Sequence, residues 1–254
     1  YLRAWKKKAK TPWFSLFPDE SNGQPPEDYP AQQLLQAKMD VDTLLIPTGA
    51  DSVEVWTPHN DGTYSLAAWS TLSTAEAINA PFERKPKSRF LPVPFRSQMV
   101  EKAVAPNRIC LPTSLAMVLH YHGVNKTTAT IARRTYDKHH KIYGNWVKAC
   151  LAAQSCSFKA RIVAMDKLSE ILPFLDRGLP LIVSVGYEKG ELPGSPIERT
   201  NGHLVVVCGV DEEGNLICRD PAAKTRKKGE VTYEQRAFAA AWKGVAIVVE
   251  PFSS

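Results

Sequence analysis

Residues 203–220 read His-Leu-Val-Val-Val-Cys-Gly-Val, then Asp-Glu-Glu-Gly-Asn, then Leu-Ile-Cys-Arg-Asp. An apolar run, a polar glycine-containing turn and a second apolar run leave little choice but an antiparallel hairpin. Asp220 lies 17 positions after His203, so folding about the turn returns its carboxylate to the imidazole. The pairing register that puts both on one face sends Cys208 and Cys218 to opposite faces, where the geometry of a disulfide cannot be met. The sequence therefore predicts a His203–Asp220 pair and no bridge between those two cysteines.

An imidazole held by a carboxylate is half of a nucleophilic site, and residues 109–114, Ile-Cys-Leu-Pro-Thr-Ser, supply a nucleophile. Pro112 lacks the amide proton that a first helical turn would leave without an acceptor, and the run Leu115, Ala116, Val118, Leu119 ending at Gly123 has helical spacing with a glycine stop. Cys110 thus stands at the positive end of a helix, where partial charge favours thiolate, the reactive form. Acyl transfer also needs a donor for the developing oxyanion. Gln98, 12 positions before Cys110, has the amide to join the Cys110 backbone N–H in that task. Nucleophile, base and orienting acid then follow in the order Cys110, His203, Asp220.

The motifs VPFRSQ, CLPTSLAMVLHYHG, the Gly144-Asn145-Trp146 triplet, GHLVVVCGVDEEGNLICRDPA and the closing AWKGVAIVVEP span residues 92–251. Through them the chain resembles the papain-fold cysteine peptidases of the double-glycine leader peptidase type, most of all their stand-alone, bacteriocin-processing-peptidase-like relatives. The resemblance implies a papain-like α+β fold, with Cys110 as nucleophile, His203 as general base, Asp220 as orienting acid and Gln98 as oxyanion donor. Leu111 departs from the pattern, since a small residue usually follows the cysteine, and a bulky side chain there is expected to narrow the site. Transporter-linked members carry a membrane domain that has no counterpart in this sequence, so their leader-peptide substrate is not carried over.

The rest of the chain narrows the function classes. With 254 residues and 44% apolar content there is enough to bury a core, and no apolar run reaches the roughly 18 residues of a membrane helix. The net charge of +6 comes from 32 basic and 26 acidic residues, much of the excess lying in residues 6–10 and 224–228. Contact with an acidic surface is compatible with these runs, but without interleaved aromatics or an RNA-type motif they predict solvated segments, not nucleic-acid binding. Five cysteines without a CxxC pair predict no structural zinc, and Cys150, Cys156, Cys208 and Cys218 are expected to be buried inert thiols. His120 and His122 fall on different helix faces, and His139-His140 sits in a charged connector, so no histidine pair for a metal is expected and no cofactor is required. The first residue is Tyr1, which implies a missing upstream segment; an extracytoplasmic location is the expectation, with any signal peptide removed.

Charges and prolines across residues 81–94 read as a linker, dividing the chain into an accessory region, 1–90, and a peptidase-like domain, 91–254. In the first part a short helix is expected at 31–39 and strands at 41–47, 52–58 and 64–70, with Trp56 and Trp69 as core residues or a binding face. In the second, helices are expected at 126–136, 145–154 and 166–176, the last capped by Asp166. Strands are expected at 158–165, 179–185, 203–210, 216–219 and 245–249, with a capping box opening a helix at Thr232. A helical half followed by a strand-rich half is an α+β arrangement with the site between them. The function expected is hydrolysis of amide or peptide bonds through a thioester. The alternatives are acyl transfer from the same thioester to an amine, or a silent module that binds peptide or cell envelope.

Overall fold

The computed structural model describes residues 2–6, 9–10, 38–40, 43–45, 52–55, 82–100 and 105–252. Two compact units are distinguished, residues 1–64 with 138–141 and residues 65–137 with 142–254. In the first, β1 (Leu2–Lys6) pairs antiparallel with β2 (Ala9–Lys10), β3 (Lys38–Asp40) pairs with β4 (Thr43–Leu45), and β5 (Ser52–Val55) completes β1 on its other edge. The sheet expected from 41–47, 52–58 and 64–70 is corrected: 43–45 pairs with 38–40 in a two-stranded sheet of its own, and 52–55 pairs with residues 2–5, so the central strand comes from the start of the chain. Lys6, Ala9 and Lys10 of the charge run, expected to be solvated, are in strand. The end of the helix expected at 31–39 is strand at Lys38 and Met39. Its remainder, the strand at 64–70, Trp56 and Trp69 lie outside the described residues.

The second unit is built on one antiparallel sheet. Its strands are β6 (Arg89–Phe90), β7 (Phe158–Ala164), β8 (Leu181–Tyr187), β9 (Thr200–Val210), β10 (Leu216–Arg219), β11 (Glu230–Tyr233) and β12 (Trp242–Pro251). The order across the sheet is β11-β10-β9-β8-β12-β7, and β6 adds to β9. Residues 82–94 of the expected linker are thus not free. Arg89 and Phe90 pair with Val210 and Gly209, Arg219 donates to the Val93 carbonyl at 2.8 Å, and the Phe82 amide donates to Gln235. A side chain at Gly209 would run into the Arg89 carbonyl, so glycine is what lets β6 dock.

Side-chain alternation splits the core into two layers. Leu204, Val206 and Cys208 of β9, with Ile182, Ile247 and Val249, meet helices α1 (Cys110–Tyr121), α2 (Thr128–Thr135) and α3 (Trp146–Gln154) on one face. On the other, Val205, Val207 and Cys218 pack with α4 (Leu172–Asp176) and Phe238 of α6 (Gln235–Ala241); between these two helices lies the single turn α5 (Arg226–Gly229). The β9–β10 register shifts at Cys208, a bulge that leaves Cys218 opposite Val207. Cys208 and Cys218 consequently face opposite layers, the expected outcome, but through the bulge: the register next to the turn, Leu216 with Val210 and Ile217 with Gly209, would otherwise set the two cysteines opposite each other.

Helix ends follow from local chemistry. The amides of Gly123 and Val124 donate to the His120 and Leu119 carbonyls, and Gly123 takes φ +92°, a left-handed stop that favours glycine. Thr127 and Asn145 cap α2 and α3 through their side-chain oxygens, which shortens both expected helices at the start. Two expected caps are corrected. At 166–176 the Glu170 carboxylate receives the Asp166 and Lys167 amides, and a 3-10 turn, Leu168–Ile171, precedes the α-helix. At α6 the cap is Glu234, receiving the Ala237 amide, while Thr232 belongs to β11. Among the described residues no helix is long and apolar enough to cross a membrane.

Candidate active site

Cys110 is the first residue of α1, and its own N–H has no acceptor one turn back in that helix. Ile109, Leu111 and Leu115 are fully buried and anchor the helix start, so only the thiol is left half-buried at the edge. Leu111 was expected to narrow the site. Its side chain lies instead in the helix-side core. The hydroxyl of Ser114, one turn on, donates to the Leu204 carbonyl at 3.2 Å and ties the helix to the strand that carries His203.

His203 is buried in β9 opposite Val185 of β8. Its Nε2 lies 2.8 Å from Oδ1 of Asp220. Asp220, fully buried just past β10, also receives the Ala222 amide on Oδ1 at 2.9 Å and the Tyr233 hydroxyl on Oδ2 at 2.8 Å. With Nε2 engaged, the hydrogen bond between His203 and Cys110 falls to Nδ1. Tyr233 carried no signal in the sequence beyond alternation in the short run Glu230–Tyr233; only the pairing of β10 with β11 brings it to Asp220.

Electrostatics follow that geometry. Burial disfavours the Cys110 thiolate, but the hydrogen bond and charge of His203, with the Leu204 and Leu111 amides, outweigh it and lower the pKa below the ordinary thiol value. Burial likewise opposes the imidazolium, yet Asp220 and Cys110 raise His203 to about 10. Asp220 is held below its usual range, because His203, Tyr233 and the Ala222 amide overcome its desolvation. All three shifts act toward the same charge state, thiolate, imidazolium and carboxylate in a row.

Gln98 is buried and fixed at both ends. Its backbone N–H donates to Pro221, the residue after Asp220, at 2.8 Å, and its Nε2 donates to Pro106, four residues before Cys110, at 2.8 Å. The segment leading to it is stapled to α1 by the Arg96 amide on the Met117 sulfur at 3.1 Å. Its Oε1 is buried without a hydrogen-bond partner. A second hydrogen on Nε2 is not needed for the Pro106 bond.

The other expected site features fall elsewhere. Cys150, Cys208 and Cys218 are buried, but Cys156 is half-buried at the end of α3, receiving the Arg134 guanidinium at 3.4 Å. His122 is pushed below its ordinary pKa by burial and packs against Tyr121 and Phe158. No cluster of three or more His, Cys, Asp or Glu suited to a metal occurs among the described residues.

Several solved structures are similar to this chain. A Bacillus anthracis chain described as a C39-like peptidase superposes with TM-score 0.50 at 21% identity, covering 66% of this chain and 100% of its own. A double glycine motif protease from an AMS/PCAT transporter, in complex with its leader peptide, gives 0.44 at 18% identity over 65% of this chain and 99% of its own. The peptidase domain of Streptococcus ComA, a bi-functional ABC transporter involved in a quorum sensing pathway, gives 0.43 at 23% identity over 57% and 93%. Comparison with curated proteins yields no significant match. The sequence pattern of the Peptidase_C39 like family matches residues 90–247, more than half of the chain, and takes in the helix start, the hairpin and most of the last strand. The chain belongs to the Peptidase_C39 like family, and with it to the cysteine peptidases of papain-like fold.

Proposed function

We propose that the protein hydrolyses peptide bonds through a thioester on Cys110. The observation that carries this reading is His203 engaged on both sides, with Nε2 on Asp220 and the other ring nitrogen toward the thiol. The Cys110 thiolate attacks the scissile carbonyl carbon. Charge moves to the carbonyl oxygen, which the free Nε2 hydrogen of Gln98 and the Cys110 backbone N–H receive. The imidazolium of His203 gives its proton to the leaving amine as the C–N bond breaks, leaving a thioester. Neutral His203 then takes a proton from water, the hydroxide oxygen attacks the thioester carbonyl, and the acid departs as the thiolate–imidazolium pair returns.

Asp220 holds the ring with Nε2 protonated, so that the nitrogen facing the sulfur exchanges the reacting proton. The Nε2 hydrogen that the Pro106 bond leaves over supports the donor role assigned to Gln98. Incubation with a mixed peptide pool, with and without added amines, tests the reading. New carboxyl and amino termini show hydrolysis, amide products with the added amine show acyl transfer, and no change with either, despite an alkylatable Cys110, overturns catalysis.

A further inference from the structure

Strand β12 leaves its partner for three residues immediately beside the site. Trp242 pairs with Val185 and the next pairing is Ala246 with Val183, so 243–245 form an excursion. It is fixed, not loose: the Trp242 indole donates to the Val245 carbonyl at 3.2 Å, the Met165 amide donates to the Gly244 carbonyl at 2.8 Å, and Gly244 takes φ +68°. The β8–β9 pairing is also irregular here, where Gly186 alone on β8 faces Asn201 and Gly202 of β9. Paired bulges of this kind re-aim a side chain.

The side chain re-aimed is Lys243. It crosses β8 over Gly186, where a Cβ would stand 2.8 Å from the lysine Cε, and its ammonium donates to the Asn201 carbonyl of β9, two residues before His203. A Cβ on Gly202 would point to the same nitrogen at 3.9 Å. Gly186 shares its face of β8 with Ile182, which packs in the layer of α1, so the lysine crosses β8 on the α1 side of the sheet. There it lines an open cavity of about 410 Å³ with Gly186, Tyr187, Thr200 and Asn201, and with Glu188 and Glu191 at the exposed rim. Glu191 is occupied in its own turn, receiving the Glu188 amide at 2.7 Å.

We propose that Lys243 is a specificity-determining residue, its cavity a subsite for a carboxylate-bearing side chain of the peptide substrate. This rests on the reading of Cys110 as a peptidase nucleophile. Two side-chain-free positions clear a path for one cation, and the backbone excursion that delivers it is pinned by three separate features. The ammonium has three donors and one is used by Asn201. Glu188 and Glu191, exposed like Lys243, line the same cavity and disfavour a second negative charge, so the subsite accepts a single acidic residue and not an acidic run.

The test reads peptide binding and nucleophile reactivity separately. Alanine-based octapeptides carrying one Glu, Gln or Lys at each position in turn are used to protect the intact protein against iodoacetamide, with alkylation of Cys110 followed by mass spectrometry. At one position the Glu peptide is expected to protect at roughly five- to tenfold lower concentration than its Gln counterpart. That preference disappears in Lys243→Gln and turns toward the Lys peptide in Lys243→Glu, an inversion that a merely structural lysine would not give. Protection that ignores charge at every position overturns the subsite and leaves the peptidase reading standing. Selective alkylation with no protection by any peptide overturns both the subsite and peptides as substrate, and absence of selective Cys110 alkylation overturns the nucleophile and the subsite with it.

Discussion

The start of α1 and the β9–β10 hairpin each place cysteine in the interior, and the two settings drive the thiols in opposite directions. Burial pushes Cys208 up to about 11 and Cys218 well above the ordinary thiol value, and Cys208 stays protonated enough to donate to the Ile217 carbonyl at 3.2 Å. Cys110 also suffers desolvation, yet its pKa falls, because His203 and two backbone amides stabilise the anion more than burial destabilises it. Reactivity is thus set by partners, and burial alone yields an inert sulfur.

The strongest attack on this contrast is His203→Ala. Turnover is expected to fall about 1000-fold or more, and Cys110 should then alkylate like a thiol that burial alone governs. Turnover retained within tenfold would show that another group activates the sulfur. In the unaltered protein at pH 6, iodoacetamide should modify Cys110 on the order of 100-fold faster than Cys208 or Cys218, with sites mapped by mass spectrometry. The sign is set by the lowered thiol pKa: thiolate persists as pH falls below the ordinary thiol range and is lost only on passing the lowered value. Equal rates across the three cysteines would erase the distinction.

Gln98→Ala sharpens the contrast by separating activation from transition-state stabilisation. Turnover should drop about 100-fold while the alkylation rate of Cys110 stays close to that of the parent, and an unchanged turnover number would remove Gln98 from the site. A smaller effect is expected for Tyr233→Phe, about three- to tenfold in turnover. Its hydroxyl helps hold Asp220 below its usual pKa, so the activity supported by the carboxylate, present above that value and lost as pH falls through it, should fail at higher pH in the variant. An acid limb that does not move would deny Tyr233 its positioning role. The smallest effect, none beyond about twofold in alkylation rate, is expected for a shortened chain beginning at Phe82, since we propose that the preceding residues are accessory to catalysis. One beginning at Leu91 would lose β6 and the Arg89 and Phe82 contacts and should unfold at lower temperature.

Much of the peptidase-like unit was legible in order. Residues 216–219 form the expected strand, the glycine stop of α1 is where the pattern puts it, and Cys110, His203 and Asp220 come together. These signals are local: an apolar period, a turn composition, a terminator acting within a few residues. Caps were misplaced at Asp166 and Thr232 because several nearby side chains compete for the same amides, and which wins depends on how the preceding strand arrives.

By itself the amino-acid sequence determined the antiparallel hairpin and the nucleophile helix, since each depends on spacing along a single segment. Tertiary structure alone decided that residues 89–90 extend the sheet, that a bulge at Cys208 sets the two hairpin cysteines on opposite faces, that Tyr233 braces Asp220, that Leu111 turns into the core and that Lys243 crosses β8 toward Asn201. Most of those outcomes join segments far apart in the chain. They depend on which strands become neighbours and where a bulge shifts the register, quantities fixed by packing of the whole sheet and written in no single stretch of residues.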